Sequence, residues 1–356
     1  MGEALEKFKR ECLLMKDLKH ENILMLVGAL WGADLTCLVL EYVEGTTANK
    51  FLKSLAPVDQ TWHGPKMSVV KGMVRGMSYL HSCIFWDSYT DDYNEGVIHR
   101  NLKLDSVLVG ERHDGYEERS GIRKKASSVA GHHNFNDLVV KISDFSDSRV
   151  VKRDETMTIV GHNLYMAPEV YRGERYDTKA DVFSFAMCLV EIVIINSDTD
   201  DIESLLHDDF LKDTAGGGGM TVNSSSAKIV KYFQKGLVRP RVEKAAYPEV
   251  PNELFKLMQL CWEVNPAARP SFAEIKEFLG SDKMNEQILK HAKSKMMLGA
   301  NEEEEEQLRV IKLELARGNV LREEELALQR KRAQDRLRER MHERRSMRVE
   351  GGNIES

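Results

Sequence analysis

Between residues 4 and 18, Leu5, Phe8, Cys12, Met15 and Leu18 recur at helical spacing with charges between them, which predicts an amphipathic helix. Leu35 to Val43 is apolar and rich in strand formers. A long helix is predicted over residues 66–81, ending Met77-Ser78-Tyr79-Leu80-His81. Cys83 to Gly96 mixes acids with aromatics (Trp86, Tyr89, Asp91, Asp92, Tyr93) and reads as an exposed loop. Glu111 to Asn136 is polar and reads as a second loop, after which Leu138 to Ser143 has the pattern of a strand. Residues 196–226 carry an acidic run, four consecutive glycines from Gly216 to Gly219, and Asn223-Ser224-Ser225-Ser226, the composition of a linker. From Asp282 the chain is polar and helix-favouring. Glu302 to Glu306 precede Leu308, Ile311 and Leu315, Gly318-Asn319 marks a break, and Leu326, Ala333, Leu337 and Met341 then share roughly one face. A charged helical tail follows, either a coiled coil or a solvated single helix.

Composition narrows the class. A chain of 356 residues with 42% hydrophobic content is long enough for one or two folded domains. Its net charge of −6 is unevenly placed. Residues 1–281 hold 34 basic against 41 acidic side chains, whereas residues 282–356 hold 17 against 16. Bulk charge therefore argues against nucleic-acid binding by the main body. The cysteines Cys12, Cys37, Cys83, Cys188 and Cys261 are scattered without a C-x-x-C pair, as free thiols in a reducing compartment would be. No apolar run reaches membrane-spanning length, the longest being interrupted by Glu191. Charges from Glu3 to Glu11 leave no signal-peptide core, so a cytoplasmic protein is expected. His132 and His133, with Asp137 nearby, are read as incidental loop residues rather than metal ligands.

The chemistry gathers around Val97-Ile98-His99-Arg100-Asn101-Leu102-Lys103-Leu104-Asp105-Ser106-Val107-Leu108-Val109. This stretch resembles the catalytic loop of the protein kinase family, H-R-D-L-K-x-x-N between two short strands. Further resemblances run in the family's order. Lys19-His20-Glu21-Asn22-Ile23 is similar to the passage out of helix C, and Leu40-Glu41-Tyr42-Val43-Glu44-Gly45 to the hinge. Asp144-Phe145-Ser146 resembles D-F-G, Ala167-Pro168-Glu169 resembles A-P-E, and Tyr176 to Phe185 resembles the start of the buried lobe helix. Cys261-Trp262 through Arg269-Pro270-Ser271-Phe272 resembles the C-W-x(6)-R-P-S-F signature of the tyrosine-kinase-like group, and Leu237 to Arg241 fits the same group. Lys103 after Asn101-Leu102 points to serine/threonine ancestry.

The resemblance, over residues 4 to about 281, implies an α+β kinase-like fold. Residues 1–45 would be a residual N-lobe of helix C, two strands and the hinge. Residues 46–281 would be the C-lobe, with insertions at 83–96, 111–136 and 196–226, and 282–356 the tail. It also implies roles. Asn101, Lys103, Ser106 and Asp144 fall at catalytic positions. Glu11, Leu40 as gatekeeper, Glu41, Val43, Leu108 and Asp144 would face ATP, and Asp144 with Ser106 would hold magnesium. Met15, Leu26, His99 and Phe145 would form an apolar spine, Asp181 would hold the catalytic loop, and Glu169 would pair with Arg269. Arg100 would remain able to receive a phosphate carried by Thr156 or Thr158.

The departures are concentrated. The Asn101 amide cannot accept a proton as a carboxylate can. Ser106 is a shorter, neutral ligand than asparagine, Ser146 replaces a permissive glycine, and His162 stands where a threonine is usual. Ahead of Glu11 the sequence has neither G-x-G-x-x-G nor V-A-I-K, for which a truncated gene model and a short protein that has abandoned nucleotide are the two explanations. Truncation is the expectation, because helix C without its sheet would expose Leu5, Phe8 and Met15. The functional expectation is a pseudokinase acting as a binding or scaffolding module, with weak ATP and magnesium binding. One alternative is an active serine/threonine kinase in signalling. Another gives the work to the tail, with protein partners or self-association through residues 302–349.

Overall fold

The computed structural model describes residues 2–32, 35–56, 58–87, 92–111, 138–150, 164–197, 202, 205, 239–281 and 284, all within one unit spanning residues 1–288. The tail, the glycine-serine segment, and His132, His133 and Asp137 lie outside them.

Helix α1 (Gly2–Met15) carries the first amphipathic pattern. Its two ends differ in burial. Leu5 is 37% exposed and Phe8 half-buried, but Met15 is only 3% exposed, against the expectation that it would be bare. The reason is the segment that follows. Asn22 donates from Nδ2 to the Val140 carbonyl at 2.8 Å, and the Ile142 N–H donates to the Asn22 carbonyl at 2.9 Å. His20 stacks on Tyr79, whose hydroxyl accepts the Lys19 N–H at 2.8 Å. The C-terminal end of α1 is thereby drawn onto the main core.

Strands β1 (Leu26–Trp31) and β2 (Thr36–Leu40) form an antiparallel pair, with Leu26 opposite Leu40 and Trp31 opposite Thr36. Strand β3 (Gly45–Thr47) leads into helix α2 (Ala48–Ser54), capped by the Thr47 hydroxyl. Helix α3 (Pro65–His81) starts with proline at its first turn, where a missing N–H costs nothing. It lies so close to strand β8 (Leu138–Ile142) that a Cβ at Gly76 would stand 2.7 Å from Ile142 Cδ1 and 2.8 Å from the Asn22 carbonyl.

The segment read as an exposed loop between Cys83 and Gly96 is instead a hairpin. Strand β4 (Ile84–Asp87) pairs with β5 (Asp92–Glu95), Ile84 opposite Glu95. Its acids weighed toward loop, yet Ile84, Phe85, Trp86 and Tyr93 are strand formers able to pair locally.

Strand β6 (Val97–Ile98) pairs with β9 (Arg149–Val150), and β7 (Val107–Glu111) is the centre of a three-stranded sheet, β3-β7-β8. Helix α4 (Pro168–Tyr171) precedes helix α5 (Lys179–Ile194), which is buried along nearly its whole length. Its aromatics and aliphatics form the centre of the core, joined by helices α6 (Asn252–Cys261) and α7 (Phe272–Leu279). Ser271 and Glu274 cap α7 reciprocally, and Phe272 packs edge-on against His81 and Phe185. All five cysteines are free thiols, and burial pushes Cys83 up to about 11. No helix among the described residues is long and apolar enough to cross a membrane.

Candidate functional site

The loop between β6 and β7 is held from below by Asp181, near the start of α5. Asp181 accepts the His99 N–H at 2.8 Å and the Arg100 N–H at 2.9 Å, and lies 2.8 Å from His81 Nε2. Burial alone would push this carboxyl up. The hydrogen bond and charge of His81, with His99 and the Arg100 N–H, hold it below its ordinary value. Arg100 adopts a left-handed backbone, φ 67°, rare for a residue with a side chain and sustained by this grip. Its guanidinium donates to the Tyr176 hydroxyl at 3.1 Å and to the Asp147 carbonyl, while Nη2 is buried with no hydrogen-bond partner among the described residues. Thr156, Thr158 and His162 lie outside the described residues.

The loop brings Asn101 to Asp144. Asn101 Nδ2 donates to Asp144 Oδ2 at 2.6 Å, and the Ser146 hydroxyl donates to Asp144 Oδ1 at 3.0 Å. The left-handed backbone of this turn falls on Asp144 itself, φ 64°, and not on Ser146. The glycine-to-serine change therefore imposes no strained angle at 146.

Ser106 turns the other way. Its hydroxyl accepts the Lys103 N–H at 3.1 Å and stands 2.9 Å from both the Asn101 and Lys103 carbonyl oxygens, which share its single proton. It is 1% exposed and braces the loop from within. Lys103, partly buried, thus enters this brace through both its backbone groups. The Ser106 carbonyl accepts from the Ser143 N–H and hydroxyl, tying the loop to the end of β8. His99 packs edge-on against Phe145, ring centroids 5.2 Å apart, with Met15 buried and Leu26 packed against the same core.

The residues expected to face a nucleotide are arranged around this centre. Leu40 ends β2 and is 36% exposed. The Glu41 carboxylate accepts the Met25 N–H at 2.7 Å and pairs with Lys141 at 2.8 Å, so the side chain braces the hinge against β8. That clamp had no signal in the motif. Val43, just before β3, and Leu108, opposite Thr47 in the β3-β7 pairing, are both half-buried, and Gly110 lies close against Val43 and Glu44. Glu11 faces the same turn. Half-burial and the charges of Asp144 and Asp147 raise its carboxyl above the ordinary 4.5, against the pull of Lys7. Lys7 forms an ion pair with Asp147 at 2.9 Å.

A raised carboxyl favours the protonated form in the folded state. Its contribution to stability is full below 4.5 and is lost as pH rises through the raised value. Glu11→Gln is therefore expected to raise the melting temperature at neutral pH, with the difference closing below 4.5. Thermal denaturation across pH reads this directly, and equal melting temperatures at neutral pH would contradict it.

The profile of the family "Protein tyrosine and serine/threonine kinase" matches residues 1–279. The chain belongs to the protein kinase family. The similar proteins include the serine/threonine-protein kinase STY17 of Arabidopsis thaliana, 28% identical over 279 residues, covering 78% of this chain and 38% of that one. They also include the RGS domain-containing serine/threonine-protein kinase A of Dictyostelium discoideum, 27% identical over 277 residues, covering 78% and 19%. The chain thus spans well under half the length of these relatives.

Protein kinases use ATP with magnesium, the metal neutralising phosphate charge. The oxygen set around Asp144 does not fit that ion in this kinase domain. Both Asp144 oxygens accept from neutral donors, and the Ser106 hydroxyl is committed to loop backbone. Magnesium requires near-octahedral oxygen ligands at close range and gives up its own water reluctantly.

The A-P-E glutamate and the arginine of the R-P-S-F motif form a structural pair. Arg269 meets Glu169 through two parallel bonds, 2.6 and 2.8 Å, both side chains buried. Arg269 also lies over the Phe183 ring and donates to the Glu263 and Lys179 carbonyls. The arginine of the signature thus anchors the A-P-E glutamate to α5.

Proposed function

We propose that this chain is a kinase-fold module of the tyrosine-kinase-like group, serine/threonine in ancestry, that acts by binding and scaffolding rather than by phosphotransfer. The observation that carries this reading is Asn101. It stands at the loop position where a general base is needed, and its amide nitrogen donates to Asp144. A carboxamide has no basic lone pair with which to take the proton of a substrate hydroxyl. The C-W-x(6)-R-P-S-F signature supports the group, and the similarity to serine/threonine-protein kinases supports the serine/threonine type. Intact structural anchors at Asp181 and at Glu169–Arg269 support a folded surface that protein partners can use. Self-association through residues 302–349 is compatible with the same reading.

The test is transfer of radiolabelled phosphate from ATP to a generic protein substrate. Loss of a general base costs ~10²–10⁴-fold in rate. The chain is expected to show no transfer above that of Asp144→Ala. Transfer that Asp144→Ala abolishes would overturn the proposal in favour of an active serine/threonine kinase.

A further inference from the structure

Two of the positions at which this chain departs from the kinase pattern converge on one carboxylate. Residue 101 is a carboxamide instead of a carboxylate, residue 146 a serine instead of a glycine, and each supplies a donor to a different oxygen of Asp144. The distances are 2.6 Å from Asn101 Nδ2 and 3.0 Å from Ser146 Oγ. Asp144 is exposed, so these donors replace water or a cation rather than compensate for burial. A carboxylate at 101 would set two like charges against each other across the same gap, an arrangement that needs a proton or a cation between them. The amide removes that need. It supplies N–H where a carboxylate offers only acceptors.

The surroundings agree. Ser106 spends its hydroxyl on three backbone groups of the loop. Ser146 introduces its donor without a positive φ, so the second bond costs no backbone strain at that residue. Asp144 takes up the left-handed angle, and its side chain is pinned on both oxygens.

We propose that Asn101 and Ser146 together stand in for a divalent cation at Asp144, holding its carboxylate in place so that the cleft takes up no metal there. This rests on the non-catalytic reading of residue 101 but concerns a separate property, cation binding. Asn101 and Ser146 are positioning residues that act through Asp144.

Mn2+ serves as the probe, followed on titration into the full chain by loss of its free-ion paramagnetic resonance signal. Wild type and Asp144→Asn are expected to take up equal amounts, since other surface acids contribute the same background to both. Asn101→Asp combined with Ser146→Gly is expected to take up one more Mn2+ per chain, and adding Asp144→Asn should remove that gain. Uptake by wild type of one Mn2+ more than Asp144→Asn overturns the proposal. So does a folded double variant, checked by circular dichroism, that binds no more than wild type. If the double variant does not fold, the comparison of wild type with Asp144→Asn still decides. Mn2+ binding at Asp144 without phosphate transfer would remove the cap and leave the non-catalytic reading standing. Phosphate transfer with no Mn2+ difference at Asp144 would do the reverse.

Discussion

Arg269→Ala is expected to lower the stability of the domain by about 3–5 kcal/mol, the cost of leaving a buried partner charge uncompensated. Glu169 is 2% exposed and has Arg269 on both of its oxygens. Without the guanidinium, the carboxylate must protonate or draw in water, and either costs free energy. The same substitution strips donors from the Glu263, Lys179 and Val264 carbonyls and removes a cation from the Phe183 face. Glu169→Ala should cost a comparable amount, because Arg269, fully buried, is then left charged without its acid. The double variant should cost less than the sum of the two, since each single change already abolishes the shared bond. Urea denaturation measures all three. An Arg269→Ala loss under about 1 kcal/mol would place the pair among the weak surface class and defeat the argument.

Asp181→Ala should be nearly as damaging, with a different signature. It leaves the His99 and Arg100 N–H groups buried and unsatisfied, each costing about 1–3 kcal/mol, and removes the grip that sustains Arg100 at φ 67°. The loss should be local first. Amide hydrogen exchange at His99 and Arg100 is expected to accelerate more than in α6 or α7, and uniform acceleration would contradict a local grip. Asp181→Asn keeps the size of the side chain but removes the charge and turns one of the two accepting oxygens into a donor. Because the Asp181 carboxyl is held below its ordinary 3.8, its contribution is present above 3.8 and lost as pH falls through the depressed folded value. The stability gap between wild type and Asp181→Asn should therefore narrow in that acid range. A gap independent of pH there would mean that the lost acceptor, not the charge, accounts for the difference.

Several parts of this architecture were legible in the chain because they depend on local pattern. The period of Leu5, Phe8, Cys12 and Met15 marks α1, and the apolar run of Leu138 to Ile142 marks β8. The ordered motifs, together with the profile match over residues 1–279, identify a kinase domain. Misreadings arose where a local cue had two outcomes. The acids of Cys83 to Gly96 suggested a loop, although pairing of Ile84 with Glu95 depends on how the chain turns back, which composition does not encode. The helical period of α1 alone does not bury Met15; its burial goes with the Asn22 hydrogen bond to Val140, which ties the segment after the helix to β8.

The amino-acid identities by themselves determined that residue 101 cannot act as a general base, since an amide lacks a basic lone pair wherever it points. They also determined an ionic partner for Glu169 through the A-P-E and R-P-S-F motifs. Only the tertiary structure decided which partners the loop's side chains meet. Asn101 and Asp144 are 43 positions apart, and β6, β7 and β8 must assemble before the amide of one can reach the carboxylate of the other. Ser146 read as a constraint on backbone angle and proved to be a hydrogen-bond donor. The motif alone offers the Ser106 hydroxyl to a metal, and the fold shows it bonded to the backbone of its own loop. A side chain's identity sets what it can donate or accept, while its partner is chosen by the fold that brings distant segments within about 3 Å of each other.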